Sequence, residues 1–198
     1  MKLSRTFYER KNVIQIAQEL LGKKLFTHVN GSLTGGLITE VEAYSGTQDK
    51  ACHANNGKRT ARTEVMYQQG GYSYVYLCYG IHHMFNVVTN AQGLADAILI
   101  RAIQPTIGID EMLKRRNKTK IHKTLASGPG ALGQALGLHF KQHNGLDLLG
   151  DTIWIEDMPN LKEDDIFVTT RIGVAYAEED ALKPWRFYIK NNPWISIK

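Results

Sequence analysis

Two glutamates and a tyrosine at alternate positions, Glu40-Val41-Glu42-Ala43-Tyr44, carry the first chemical signal in the chain. Alternate side chains of a strand share a face, so Ile38, Glu40, Glu42 and Tyr44 are expected on one side. Leu37, Thr39, Val41 and Ala43 then fall on the other. A carboxylate in a partly desolvated pocket can hold and deprotonate a water. Tyr44, and His53 across the following loop, add flat surfaces for an aromatic ligand, each with a polar atom to orient it. A solvated strand face is the plain alternative. Residues two apart on a strand are separated by roughly 6.8 Å in Cα rise, so Glu40 and Glu42 could also form the acid pair of a carbohydrate hydrolase.

The run Gly71-Tyr72-Ser73-Tyr74-Val75-Tyr76-Leu77-Cys78-Tyr79-Gly80 is the second signal. Tyr72, Tyr74 and Tyr76 share one strand face, as a core stripe would. Tyr79 falls by a presumed turn, where a hairpin tip cannot bury it. There it could serve as a wedge between nucleic-acid bases. Lys58, Arg59 and Arg62 in the loop, Arg101 at a strand end, and the Ser127-Gly128-Pro129-Gly130 turn could all meet phosphates; surface solubility is the plain reading of each. Metal catalysis is not indicated, because His139 and His143 lack an HExxH pattern and His82-His83 point to opposite strand faces. Cys52 and Cys78 form no metal spacing and read as small reduced residues.

These residues need a scaffold, and the composition supplies one. The 198 residues are 43% hydrophobic and 22% charged, which fits one ordinary globular domain. A net charge of +5 favours a polyanionic partner. No apolar run approaches the roughly 20 residues of a membrane span. Met1-Lys2-Leu3-Ser4-Arg5 leads into charged sequence without a signal-peptide core. An intracellular protein is expected, cytoplasmic and nucleoid-associated in a bacterium.

Periodicity predicts a helix over 12–21, capped by Asn12 and ended by Gly22. Strands follow at 24–29 and 33–44, joined by an Asn30-Gly31 hairpin turn. Residues 45–63 read as a long functional loop. Further strands are expected at 72–78, 81–89 and 98–103, the last ended by Pro105. Helices are expected at 108–116 and 130–138, and short strands at 151–156, 166–171 and 185–189. Residues 113–123 carry six Lys or Arg residues and read as a solvated basic connection. The fold class is mixed α/β (α+β): a single domain over 1–198 with a mainly antiparallel curved β-sheet, flanking helices and a protruding β-hairpin.

Taken in order, several blocks resemble the alkyladenine (3-methyladenine) DNA glycosylase family. They are Glu40-Val41-Glu42-Ala43-Tyr44, Tyr74-Val75-Tyr76 through Tyr79-Gly80, Asn86-Val87-Val88, Ile100-Arg101-Ala102, Ser127-Gly128-Pro129-Gly130, Arg171-Ile172-Gly173-Val174, and Trp185-Arg186-Phe187-Tyr188 with Asn192-Pro193-Trp194. The resemblance implies Glu42 as general base and Arg101 near the catalytic water and lesion phosphate. It implies Tyr44, His53 and Tyr76 around a flipped base, Asn86 crowding the exocyclic amine of guanine, and Tyr79 intercalating. It assigns Glu40 no catalytic role. It further implies a monomer without metal or cofactor that acts on double-stranded DNA containing damaged purines. The expected reaction is hydrolysis of the N-glycosidic bond without strand cleavage. The substrates would be 3-methyladenine, 7-methylguanine, hypoxanthine or ethenoadenine. Two positions depart from the family's pattern: Thr63 stands where Asn usually follows the loop arginine, and Ala131 where Lys follows the Gly-Pro-Gly turn. Both are expected to alter phosphate or loop contacts. A non-catalytic nucleic-acid-binding domain is the alternative.

Overall fold

Asn12 accepts a hydrogen bond from the Gln15 N–H at 3.1 Å and so caps the helix that follows. The computed structural model, which describes residues 1–197, places that helix, α2, at Val13–Leu20, after a single-turn α1 at Arg5–Tyr8. Val13, Ile16, Ala17 and Leu20 recur at helical spacing and are buried. They cover one face of the sheet.

Among the described residues eight strands form one antiparallel sheet. These are β1 (Lys24–Val29), β2 (Ser32–Tyr44), β3 (Ser73–Cys78), β4 (His82–Thr89), β5 (Asp96–Ile107), β6 (Ile153–Glu156), β7 (Ile166–Thr169) and β8 (Arg186–Ile189). The spatial order is β3-β4-β5-β2-β1-β6, with β8 joining β2 to β7. β2 is the hub: β5 lines one edge, while β1 and then β8 line the other. The sheet curls where β2 exchanges β1 for β8. The Asn30-Gly31 turn takes positive φ at both positions, which matches the twist of a two-residue hairpin.

The exchange is made by bulges. Ile38 pairs with Ile103 and Glu40 with Ala102, leaving Thr39 as an extra residue on β2. Val41 then pairs with Ile100, leaving Arg101 as an extra residue on β5. An extra residue reverses the side-chain parity. Ile38 therefore joins Val41 and Ala43 in the main core, and not the face of Glu40, Glu42 and Tyr44 as strict alternation predicts. Thr39 leaves the ladder, and its hydroxyl donates to the Trp194 carbonyl. Beyond the bulges alternation is regular. Val75, Phe85, Val87, Ile98 and Ile100 face the core with α2 and α4 (Pro129–Ala135). Tyr74, Val88 and Ala97 face a second apolar cluster.

That second cluster lies under the long loop. Residues 45–72 contain three short 3-10 turns, and Cys52, Ala54, Val65, Met66 and Tyr67 are buried against the sheet. Three further expectations need correction. β5 continues through Pro105 because a register shift opposite Gly35 and Gly36 spares the missing N–H. The basic segment is not wholly solvated. Arg115, the last residue of α3 (Ile109–Arg115), donates to the Val29 and Ala135 carbonyls, and Arg116 to those of Thr124 and Leu125. The helix expected over 130–138 ends at Ala135, and the turn after it leads to α5 (Phe140–His143). Among the described residues no helix is long and apolar enough to cross a membrane.

At Gly36 the backbone of β5 leaves no room for a side chain on β2. A Cβ there would collide with the Gln104 carbonyl and lie 2.9 Å from Pro105 Cα. Gly36→Ala is expected to cost about 1–3 kcal/mol of stability, the range for overpacking a tight interior. A lowered urea midpoint with an unchanged slope would report it. An unchanged midpoint would mean that the strands separate there without cost.

Candidate active site

The face opposite the main core becomes chemical where five strands align. Cross-strand pairing sets Arg186, Glu42, Leu99, Asn86 and Tyr74 side by side in one row. Neighbouring positions on the same face add Tyr44 from β2, Tyr76 from β3 and Arg101 from β5. Glu42, Tyr44, His53, Tyr76, Tyr79, Asn86 and Arg101, distant in sequence, line one cavity of about 460 Å³. That size suits a small planar ligand. The loop from β2 to β3 supplies His53 and Arg62, and the segment before β8 supplies Ile172, Gly173 and Val174.

The two glutamates are both fully buried but differ in what they have left to give. Glu40 accepts from Arg101 Nε at 2.9 Å, Arg186 at 3.0 Å, Ser196 Oγ at 2.8 Å and the Ser196 N–H at 2.6 Å. A carboxylate oxygen offers about two acceptor positions; three of these bonds converge on Oε1 and the Ser196 N–H takes Oε2, so Glu40 is tied into the surrounding protein. Glu42 accepts from the Ile172 N–H at 2.7 Å and the Tyr44 hydroxyl at 2.8 Å, with Arg101 at 3.2 Å. About one position remains, and Glu42, not Glu40, lines the cavity. The acid-pair arrangement of a carbohydrate hydrolase is thus absent. Burial opposes the charge on Arg101, yet Glu42 and Glu40 together hold it protonated above the ordinary arginine range. Burial, and then the adjacent Glu42, push the Tyr44 hydroxyl well above the ordinary tyrosine value, so it stays a donor.

The aromatic wall is joined by hydrogen bonds. Tyr74 and Tyr76 lie with ring centroids 5.3 Å apart, and the His53 ring meets Tyr76 edge-on at 4.7 Å. His53 Nε2 lies 3.0 Å from an Arg62 guanidinium nitrogen, and Nδ1 lies 2.8 Å from the Tyr74 hydroxyl. A guanidinium only donates. Nε2 must therefore accept, and Nδ1 carries the proton and donates to Tyr74. Burial, reinforced by Arg62 and Lys58, lowers the His53 pKa to about 4. Asn86 is held by donation to the Tyr74 carbonyl at 3.1 Å, with the Met84 carbonyl at 3.4 Å.

Tyr79 sits at the tip of the β3–β4 hairpin, 91% exposed, with a positive φ that only strain or a turn imposes on a non-glycine residue. Of the expected phosphate-contacting residues, Lys58 is exposed. Arg59 is bound by both oxygens of Glu64 and stacked on Tyr67. Arg62 is folded onto the aromatic wall, and Gly130 lies in the first turn of α4 against the His82 ring. Thr63 is buried and knots its loop, accepting from the Thr60 N–H and donating to the Lys58 carbonyl. Ala131 occupies the same turn as Gly130. His143 accepts from the His139 N–H at the start of α5.

Sequence reasoning passed over three supports of this site. The Ile172 N–H lies within the Arg171-Ile172-Gly173-Val174 block, but a backbone donor leaves no side-chain signal. Arg186 steadies Glu40 from β8. Arg171, fully buried, pairs with both oxygens of Asp49 and donates to the Ala43 carbonyl, bracing the loop against β2.

A profile of the methylpurine-DNA glycosylase family matches residues 6–193. Proteins from Alkaliphilus oremlandii, Bacillus cereus strain G9842 and Bacillus anthracis strain CDC 684 are 46%, 45% and 44% identical, over 100% of this chain and 100% of their own. All three are named as candidate 3-methyladenine DNA glycosylases. The chain belongs to the methylpurine-DNA glycosylase family. It is a DNA glycosylase, an enzyme whose substrate is DNA.

The depressed His53 pKa has a measurable sign. The unfolded chain binds a proton at this residue near pH 6.5 and the folded protein only near 4, so stability falls as pH drops between those values. A His53 imidazole NMR titration should show a midpoint near 4. In Arg62→Ala the midpoint should rise yet stay below 6.5, because burial is the larger cause. A parent midpoint near 6.5 would contradict the assigned tautomer and contacts.

Proposed function

We propose that the enzyme flips alkylated or deaminated purines out of duplex DNA and hydrolyses their N-glycosidic bond, with Glu42 as general base and residues 1–198 as one glycosylase domain. The single observation that carries this reading is the contrast between the two buried acids. Glu42 lines the cavity and keeps about one acceptor position there, whereas Glu40 is held by Arg101, Arg186 and Ser196 away from it. A water held there would stand between Glu42 and the sugar C1′ of a flipped nucleotide. Glycosidic cleavage builds positive charge on the sugar, and a fixed carboxylate in a site shielded from water stabilises it. Arg101, 3.2 Å from Glu42, fixes its geometry. Glu42 acts by its fixed position and charge as well as by proton removal.

Base flipping costs a few kcal/mol, least for damaged or mispaired nucleotides. Stacking on Tyr44, Tyr76 and His53 offsets that cost, since a base–aromatic stack contributes about 1–3 kcal/mol. Tyr79 fills the gap left in the duplex. Asn86, immobilised by two carbonyls, crowds the exocyclic amine of normal guanine. Cationic bases such as 3-methyladenine and 7-methylguanine leave readily, whereas hypoxanthine and ethenoadenine require protonation, at N7. The names of the relatives favour 3-methyladenine as one substrate. Among the described residues no lysine lines the cavity, which supports simple hydrolysis without a Schiff base or strand cleavage. Lys58, Arg62 and Gly130 are suited to meet phosphates around the lesion, and Arg59 less so while Glu64 binds it.

Glu42→Gln is expected to bind lesion-containing duplex but to release base at least about 10²-fold more slowly, the lower end for loss of general-base help. Single-turnover release of free base measures this, and parent-like release would remove Glu42 from its role. The same assay on the parent separates an enzyme from a non-catalytic DNA-binding domain. Tyr79→Ser is expected to weaken lesion-duplex binding by about tenfold, within the worth of one stacked base, with an unchanged thermal midpoint. Undiminished affinity and excision would exclude the wedge.

A further inference from the structure

Arg62 belongs to an exposed loop, yet its guanidinium lies over the Tyr76 ring, 4.6 Å from the centroid, and donates to His53 Nε2 at 3.0 Å. Among the described residues no carboxylate pairs with it, whereas its neighbour Arg59 is bound by Glu64. Arg62 is thus a planar cation held by an aromatic face and an imidazole lone pair. These are the surfaces that a flipped base would use.

We propose that Arg62 is a specificity-determining residue: in the unliganded enzyme it plugs the aromatic wall, and an entering base must displace it from Tyr76 and His53. The proposal rests on the reading of the cavity as a base pocket. An alkylated purine carrying positive charge replaces one planar cation by another and recovers the cation–π attraction. A neutral purine, undamaged or deaminated, recovers stacking but not that attraction. Displacing Arg62 costs every base the same, but that cost slows release only while the flipped state is the minor one. A cationic purine that regains the attraction stays flipped, so Arg62 holds back neutral bases at the mouth of the pocket. The loop need not refold, because Thr63 ties it from within through the Thr60 N–H at 2.9 Å and the Lys58 carbonyl at 3.0 Å. Only the side chain has to swing, and once displaced it is free to meet a strand phosphate.

The test is single-turnover release of hypoxanthine and of 7-methylguanine from otherwise identical duplexes, at saturating enzyme, by the parent and by Arg62→Ala. The hypoxanthine-to-7-methylguanine rate ratio is expected to rise roughly two- to fivefold in the variant, the worth of an exposed cation–π contact. A lost phosphate contact slows both lesions alike and leaves the ratio unchanged, which would overturn the proposal. A fall in the ratio would overturn it too, since it would place Arg62 over Tyr76 with the base bound, repelling cationic bases. Arg62→Gln, expected to move the ratio in the same direction, guards against a folding defect in the alanine variant. A parent that releases neither base would instead defeat the glycosylase reading itself, and the proposal with it.

Discussion

A guanidinium shared between two buried carboxylates governs the rest of the site. Arg101 reaches Glu40 and Glu42 at once, and Arg186 meets Glu40 from the other side. Burying unpaired charge costs several kcal/mol per ion, so each member depends on the others. The network also gathers distant chain. It joins β2, β5 and β8 with Ser196 near the C-terminal end, and through Glu42 it reaches the Ile172 amide. By occupying Arg101 and Arg186, Glu40 fixes the cation that orients Glu42.

The residue types of the site were legible in the chain, but their geometry was only partly so. The spacing of Glu42 and Tyr44 placed both on one strand face, and that relation holds because it lies wholly beyond the Thr39 bulge. Ile38 was misplaced because a bulge is imposed by the partner strand, and β2 carries no local mark of the register of β5. Pro105 misled in the same way, since its missing N–H matters only when the opposing register requires it. The extra position on β5 is Arg101 itself, so the irregularity that periodicity could not reveal is what brings the cation to both acids.

The long loop shows a different limit. Its lack of periodicity correctly indicated a segment without strands, but its order comes from single polar anchors and not from repeated apolar positions. Asp49 is held by Arg171, Thr63 by its own loop, and Cys52, Ala54 and Met66 are buried beneath. Asp49 and Arg171 are 122 residues apart, a pairing with no local trace in the sequence. Thr63 serves as an internal tie beside Arg62, so it bears on how Arg62 is presented and makes no contact with the acid network.

The two-edged pairing of β2 has a dynamic consequence. Glu42 is paired to Leu99 on one side and Arg186 on the other, so its backbone opens only when the sheet does. The 45–72 loop has no such ladder and can open locally at lower free energy. Amide exchange should thus divide the site into a rigid half bearing the acid and a yielding half bearing His53 and Arg62. The loop can then fluctuate against the cavity while the Glu42 carboxylate keeps its position.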